Sequence, residues 1–210
     1  MSAQENPGLP WAEKGMPSLG ITGTVGSGKS LALRILAELG AETAQADRIG
    51  HQLLTKTDVR DEVVRLLGAG VQAADGSLDR KKIGEMVFSD KRVLLEYNRI
   101  IHPRLLNALR EWLEKPREAH QVVAVEAALI PEWGIEEWFD EVWCIRCSDE
   151  AALSRWDRSS EIYWKIREAQ LPPQEKWAKA ERVIDNERSQ EEYRRRIEAE
   201  FRSFQSKCGY

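Results

Sequence analysis

The chain has 210 residues and a formal net charge of −4 at pH 7, from 31 Lys and Arg against 35 Asp and Glu. This length is enough for one α/β domain. The mildly acidic charge argues against non-specific nucleic-acid binding, which needs a basic surface, and no apolar run approaches the about 20 residues that span a membrane. Three cysteines, an odd number, favour a reducing, cytoplasmic setting. The oligomeric state is not encoded in these properties, so a monomer is the default expectation.

Residues 1–17 form a leader rich in Pro, Gly and polar side chains. The leader has neither the basic start nor the apolar segment of a signal peptide. Its composition is typical of a disordered segment, so we expect the folded domain to cover residues 18–210.

The strongest motif lies at residues 23–30, which read Gly-Thr-Val-Gly-Ser-Gly-Lys-Ser. They match G-x-x-x-x-G-K-[ST], the phosphate-binding P-loop. A short β-branched segment at 18–22 precedes the motif, and apolar residues at helical spacing follow it as far as Gly40. Strand, loop and helix therefore come in the order that the motif requires.

The residue types in this loop fit the chemistry of binding ATP. Glycines let the backbone curl around an anion, so that N–H groups and the helix N-terminus point at the phosphates. Lys29 can reach the outer phosphates as a catalytic cation, and the Ser30 hydroxyl is a candidate ligand of Mg²⁺. The residues expected to bind ATP are Gly23, Val25, Gly26, Ser27, Gly28, Lys29, Ser30 and Leu31.

Two further acids end predicted strands of the core. Residues 41–47 are predicted to form a strand that ends in Asp47, and the apolar run 121–126 ends in Glu126. Because ligands of open α/β sheets bind at the carboxyl ends of the strands, we expect both acids near the phosphates. Asp47 is a candidate catalytic base, or the N-cap of the helix that follows it. Glu126 is a candidate for orienting a Mg²⁺-bound water or a substrate hydroxyl.

Between these strands, residues 55–115 are helical in pattern and poor in strands. We expect four amphipathic helices there, the third ended by Pro103 and the fourth beginning near Leu105. This segment is longer than a simple crossover requires, so we interpret it as an insert that covers a second substrate. His102 precedes the proline, and a single histidine of this kind is more often structural than functional.

The carboxyl-terminal third continues the core. A strand is predicted at 141–147 and another at 182–186, with a sheet-packing helix at 189–204. Cys144 and Cys147 form C-x-x-C, but residues three apart on a strand face opposite sides, which favours packing over zinc or redox chemistry. In the charged segment 148–181, Arg155 and Arg158 are either a phosphate clamp on a mobile lid or a solvated helix face.

Taken together, these motifs resemble those of dephospho-coenzyme A kinases, over about residues 19–204. The specific signal is a series of three: Gly-x-Leu-Asp-Arg at 76–80, Val-Phe-x-Asp at 87–90 and Ile-x-His-Pro at 100–103. Gln-Ala-Asp at 45–47 and Val-Ile-Asp-Asn at 183–186 complete the combination. The resemblance implies a P-loop NTPase fold of the α/β class, a five-stranded parallel sheet flanked by helices. Its expected parts are a core (18–54, 116–147 and 182–210), a helical acceptor-binding insert (55–115) and a helical lid (148–181).

What the resemblance implies for function is transfer of the ATP γ-phosphoryl to the ribose 3′-hydroxyl of dephospho-CoA, the last step of CoA synthesis. Asp47 would accept the hydroxyl proton, while Lys29, Mg²⁺ and the two lid arginines would supply positive charge. Arg80, His102 and Glu126 would belong to the acceptor site. Phosphoryl transfer depends mainly on such positioning and charge neutralisation.

This sequence also departs from the family pattern. Gln45 replaces the first acid of the family's Asp-x-Asp, Glu126 replaces an aspartate, and the lid segment after Arg158 is shorter. These departures keep two alternatives open: a kinase for another small acceptor, such as a nucleoside monophosphate or a sugar acid, and a nucleotide-binding module without catalysis. The His102-Pro103 series argues against the first alternative.

Overall fold

The computed structural model describes residues 16–115, 121–157 and 159–209. The chain divides into two compact units. The first contains the chain up to Ala44, Leu113–Arg155 and Gln170–Tyr210, and the second contains Gln45–Trp112 and Trp156–Ala169. The second unit thus begins before the expected insert and also takes in part of the expected lid.

A five-stranded parallel sheet forms the centre of the fold, as predicted. Its strands lie in the order β2-β3-β1-β4-β5, with the P-loop strand in the middle. β1 pairs with β3 on one side and with β4 on the other, in register at Leu19↔Ala124 and Leu19↔Glu141. The strands are β1 Ser18–Gly23, β2 Glu42–Gln45, β3 Val123–Glu126, β4 Glu141–Arg146 and β5 Arg182–Asp185.

The central strands are buried on both faces, as expected for the middle of a parallel sheet. On one face lie α1 (Lys29–Glu38) and α10 (Gln190–Lys207). α10 is the helix predicted to pack on the sheet, and its apolar residues Tyr193, Ile197 and Phe201 belong to the buried core of this unit. Ser189 caps α10 in a capping box with Glu192, which explains where the helix begins.

β2 ends two residues earlier than predicted. The strand stops at Gln45, and α2 (Ala46–Leu53) begins directly after it. Asp47 is therefore neither the end of the strand nor the N-cap, which is Gln45. It lies exposed in the first turn of α2, where a carboxylate interacts favourably with the helix dipole.

The second unit contains α2, α3 (Thr57–Leu67), α4 (Arg80–Val87) and α5 (Lys91–Leu113). The predicted break at Pro103 is wrong, because α5 runs through it as one helix of 23 residues. Proline removes one main-chain hydrogen bond and disturbs the carbonyls of the preceding turn. Here the Arg104 guanidinium donates to the Ile100 carbonyl at 2.7 Å, which satisfies one of those acceptors.

Residues 148–181 form three short helices, α7 (Asp149–Ser154), α8 (Ser160–Glu168) and α9 (Pro173–Ala178). α7 and α9 belong to the first unit and α8 to the second. Arg155 follows the last residue of α7, and residues 155–157 are not helical, so the expected helix does not continue from Arg155.

Most of the leader lies outside the described residues. Its last two residues, however, are ordered parts of the first unit. Met16 is buried, and the Pro17 carbonyl accepts a hydrogen bond from the Val123 N–H at 2.9 Å. A short helix, α6 (Ile130–Trp133), follows β3 in the same unit.

Candidate active site

The P-loop lies between β1 and α1, and its glycines are required by close contacts. Gly28 is the N-cap of α1 and has φ +100°, in the left-handed region. A Cβ at this position would lie 2.2 Å from Asn186 Nδ2. A Cβ on Gly26 would lie 2.9 Å from the Ala152 Cβ. Both glycines therefore permit a tight loop packed closely against later parts of the chain.

Three side chains from distant parts of the sequence hold this loop. Asn186 Nδ2 donates to the Ser27 carbonyl at 2.8 Å, and Tyr193 OH donates to the Gly28 carbonyl at 3.2 Å. Gln170 Oε1 accepts the Val25 N–H at 3.0 Å. The sequence predicts no contact between these residues and the P-loop. Asn186 carries a signal as the last residue of the Val-Ile-Asp-Asn motif, and Tyr193 lies in the helix predicted to pack on the sheet.

A buried ion pair supports the segment that carries Gln170. Lys176 is completely buried, and its Nζ lies 2.5 and 2.7 Å from the two carboxylate oxygens of Glu132. The Leu171 N–H donates to the same carboxylate at 2.9 Å. Breaking such a pair by removing one partner typically costs about 3–5 kcal/mol.

Lys29 and Ser30 open α1, as the P-loop motif predicts. Lys29 is buried, with 8% of its surface exposed, and its Nζ donates to the Thr24 carbonyl at 2.8 Å. Ser30 Oγ donates to Glu126 Oε2 at 3.2 Å, which brings the acid of β3 to the loop. A hydroxyl and a carboxylate are hard oxygen donors of the kind that Mg²⁺ prefers. These two residues thus fit a Mg²⁺ ion that is completed by phosphate oxygens and water.

Arg155 is the basic residue that the structure places near the P-loop partner Asn186. Its Nη2 donates to the Asn186 main-chain carbonyl at 2.9 Å. Arg158, its expected partner in a clamp, lies outside the described residues.

A cavity of about 900 Å³ lies beside the carboxyl ends of β4 and β5. Two of its lining residues also touch the P-loop: Tyr193 through Gly28, and Cys147, whose Sγ is 4.0 Å from the Gly26 carbonyl. Trp177 lines it as well and lies under the Arg146 guanidinium, 5.1 Å from the ring centre. An aromatic face and hydrogen-bonding groups suit the nucleoside part of a nucleotide.

The remaining candidate residues lie in the second unit. Arg80 is exposed at the start of α4, and its Nη1 lies 2.8 Å from His51 Nδ1. Together they line a cavity of about 920 Å³ that also contains Leu78, Phe88 and Ile162. His102 is half-buried in the middle of α5, where burial lowers its pKa, and it does not line this cavity.

The two cysteines of the C-x-x-C sequence lie on either side of the end of β4. Cys144 is buried within β4, where burial raises its pKa to about 11, and Cys147 is half-buried just after the strand. All three cysteines are free. Within the described ranges there is no cluster of three or more His, Cys, Asp or Glu that would enclose a metal ion. The same part of the chain contains no helix long and apolar enough to cross a membrane.

Comparison with known proteins identifies the family. The family model described as dephospho-CoA kinase matches residues 18–192. The dephospho-CoA kinase of Fusobacterium nucleatum is 33% identical over 184 residues, which cover 86% of this chain and 94% of that protein. The one from Dehalococcoides mccartyi is 38% identical over 141 residues, which cover 67% of this chain and 71% of that protein.

Among solved structures, the crystal structure of TT1252 from Thermus thermophilus superimposes with a TM-score of 0.73 and 26% identity. The match covers 90% of this chain and 97% of that one. The resemblance found in the sequence motifs is therefore confirmed. With the family model covering most of the chain, we conclude that this chain belongs to the dephospho-CoA kinase family.

Proposed function

We propose that the chain transfers the γ-phosphoryl group of ATP to the ribose 3′-hydroxyl of dephospho-CoA, releasing ADP and CoA in the cytoplasm. The observation that carries this proposal is the assembled P-loop of a family member, in which Lys29 Nζ lies against the loop at the Thr24 carbonyl and Ser30 Oγ contacts Glu126. Phosphoryl transfer needs this kind of preorganised charge more than it needs covalent chemistry.

On the donor side, the loop from Gly23 to Leu31 and the N-terminus of α1 bind the phosphates, while the Val25 N–H stays with Gln170. Ser27 supports this role, because its buried Oγ has no hydrogen-bond partner among the described residues. Lys29 and Arg155 stabilise the charge that develops on the transferred group. The nucleoside lies in the cavity of about 900 Å³ lined by Trp177 and Tyr193.

Ser30 would hold Mg²⁺ through its hydroxyl, and Glu126, which accepts from that hydroxyl, would support the ion from β3. When bound, the ion neutralises phosphate charge and fixes the phosphate geometry. Glu126 therefore acts on the phosphate side of the reaction in this proposal, although the sequence also allowed it a place in the acceptor site.

The second unit supplies the residues that bind the acceptor, dephospho-CoA. The 3′-oxygen of the ribose forms a bond to the γ-phosphorus while the bond to the β,γ-bridging oxygen breaks, and ADP leaves. Asp47 orients the hydroxyl and takes its proton as that oxygen becomes bonded to phosphorus. Arg80 binds the acceptor, and His102, half-buried on α5, belongs to the same acceptor site in this proposal.

The test is a comparison of acceptors with ATP and Mg²⁺. ADP release is measured with dephospho-CoA, adenosine monophosphate and gluconate at equal concentrations, and the product of the first reaction is identified as CoA by mass. We expect turnover to be fastest with dephospho-CoA. Faster turnover with either other acceptor would show a different kinase, and binding of ATP without transfer to any acceptor would show a nucleotide-binding module.

A further inference from the structure

His51 and Arg80 form a wall that three cavities of the second unit share. The cavities have volumes of about 920, 520 and 160 Å³, and both residues line each of them. The hydrogen bond of 2.8 Å between Arg80 Nη1 and His51 Nδ1 joins the end of α2 to the start of α4. A ligand that extends through more than one of these cavities must therefore pass this pair.

The charge of Arg80 is fixed in position but not neutralised. No carboxylate of the described residues lies within 4.0 Å of its guanidinium, whose hydrogen-bond partner is an imidazole nitrogen. Other arginines of this unit are paired with acids: Arg104 with Glu62 at 2.6 Å and Arg99 with Glu96 at 2.5 Å. The neighbouring acid Asp79 caps α4 by accepting from Lys81 N and Lys82 N.

The geometry also sets the protonation state of His51. An arginine N–H can only donate, so Nδ1 must be the acceptor and the ring must be neutral. Burial and the charge of Arg80 both lower the pKa of His51, while Asp47 acts in the opposite direction. A neutral acceptor orients the guanidinium without cancelling its charge. A carboxylate at the same place would orient the guanidinium and also neutralise its charge.

We propose that Arg80, positioned by neutral His51, binds the diphosphate of dephospho-CoA. This inference rests on the proposed function, and it assigns His51 as a positioning residue for acceptor binding. The diphosphate is the charged group of dephospho-CoA and lies between its adenosine and its pantetheine arm. A planar guanidinium suits phosphate oxygens, and cavities on more than one side of the pair suit a ligand that extends in both directions.

The decisive variant is His51→Glu, compared with His51→Gln. Glutamate would hold Arg80 at least as firmly as histidine does, but it would neutralise the charge that the diphosphate needs. Glutamine supplies a neutral acceptor again. If His51 has only a structural role, glutamate should replace it well. If our proposal is right, His51→Glu and Arg80→Gln should each raise KM for dephospho-CoA about 10- to 100-fold, as expected for loss of a charge-assisted hydrogen bond.

Adenosine, which has the same 3′-hydroxyl but no diphosphate, provides the control substrate. We expect kcat/KM for adenosine to change by less than about threefold in His51→Glu and in Arg80→Gln. With dephospho-CoA, we expect KM in His51→Gln to be at least about tenfold lower than in His51→Glu. Two matched variants control for charge: Thr57→Glu adds a carboxylate elsewhere in this unit, and Arg99→Gln removes an exposed arginine that is paired with Glu96. Both should behave like the wild type.

Three results would overturn this inference in an active enzyme: a wild-type KM for dephospho-CoA in His51→Glu, an equal KM increase in His51→Gln, or a parallel loss with adenosine. Thermal unfolding of each variant checks that the fold persists, and Arg80→Gln tests the same contact if His51→Glu does not fold. A wild-type protein that fails to phosphorylate dephospho-CoA would instead overturn the proposed function itself.

Discussion

Asp47 is the residue whose role depends most on where its helix begins. It lies in the first turn of α2, exposed, two residues after β2 ends. An acid there stabilises a helix by about 0.3–1 kcal/mol through the dipole, whatever its catalytic role. The neighbouring Gln45 replaces the acid that the family has, so Asp47 is the only carboxylate of that short motif.

Replacing Asp47 by asparagine separates these two roles. If Asp47 orients the hydroxyl and takes its proton, Asp47→Asn should lower kcat by about 10²- to 10⁴-fold and change the unfolding free energy by less than about 1 kcal/mol. Asp58→Asn is the matched control, because Asp58 is also the acid in the first turn of its helix, α3. Steady-state kinetics and thermal unfolding of both variants check the expectation. Near wild-type kcat in Asp47→Asn would leave Asp47 with the helix-stabilising role alone.

The P-loop residues could be predicted from sequence because the motif is local: Lys29 and Ser30 follow Gly28 directly. The residues that hold the loop could not. Asn186 and Tyr193 act on Ser27 and Gly28 from 159 and 165 residues away. A single sequence contains no local pattern that links such positions, so this part of the site appears only when the sheet brings β5 and α10 next to the loop.

At the scale of elements, the start of α1 combines backbone conformation with side-chain packing. Gly28 has φ +100° and faces Asn186, whereas Gly40, which follows α1, has φ +96° and faces open space. Both glycines therefore require a positive φ, but only at Gly28 would an added side chain collide with a neighbouring residue.

This difference gives a matched pair of substitutions. Gly40→Ala should cost only the left-handed conformation, about 1–2 kcal/mol of unfolding free energy. Gly28→Ala should cost about 1–3 kcal/mol more, because the methyl group displaces Asn186 and breaks its hydrogen bond to Ser27. It should also weaken ATP binding, whereas Gly40→Ala should not. Urea unfolding and ATP titration of both variants make the comparison, and equal destabilisation would show that Asn186 does not restrain the loop.

Long periodic elements were predictable, but their ends were less so. The apolar pattern on both sides of Pro103 predicts helical structure correctly, but the helix end predicted at the proline is wrong, because α5 continues through it. Tertiary packing overrides this local signal, since Ile101, Leu105 and Leu109 are all buried along the same helix. At β2, the strand and helix patterns overlap near Gln45, so the boundary was misplaced by two residues.

At the scale of the whole molecule, the five-stranded parallel sheet followed from the family resemblance rather than from periodicity, whereas the order of its strands was not predicted. The division into units was not predictable in the same way, because Trp156–Ala169 joins the second unit while both its flanks belong to the first. Within the first unit, ion pairs as well as apolar packing hold the edge of the sheet formed by β4 and β5 against α10.

Glu141 is the centre of this charged network. It is 6% exposed and accepts hydrogen bonds from Arg182 at 2.5 and 3.0 Å, Lys207 at 2.8 Å and Trp143 at 2.9 Å. Arg182 also pairs with Glu200. The network thus ties β4 and β5 to α10. Burial alone would raise the pKa of Glu141, but the hydrogen bonds from Arg182, Lys207 and Trp143 outweigh it and lower the pKa from 4.5 to about 2.

The lowered pKa makes stability depend on pH in a definite window. Between about pH 4.5 and pH 2 the unfolded chain binds a proton at Glu141 that the folded chain does not, so stability falls as the pH falls. The stabilisation is fully present above pH 4.5, and its loss should reach about 3 kcal/mol at the acidic end. Asp185, whose pKa is also lowered, mainly by Arg146, adds a loss of the same sign.

Glu141→Gln isolates the contribution of this one group. At pH 7 it should lower the unfolding free energy by about 3–5 kcal/mol, because Arg182 and Lys207 lose their shared carboxylate. Its unfolding free energy should then fall less steeply than that of the wild type from pH 6 to pH 3. Urea unfolding followed by tryptophan fluorescence measures both effects. Glu150→Gln, which removes an exposed carboxylate of α7 in the same unit, should leave the slope unchanged. Parallel pH curves for wild type and Glu141→Gln would mean that other carboxylates, and not this network, set the acid stability of the first unit.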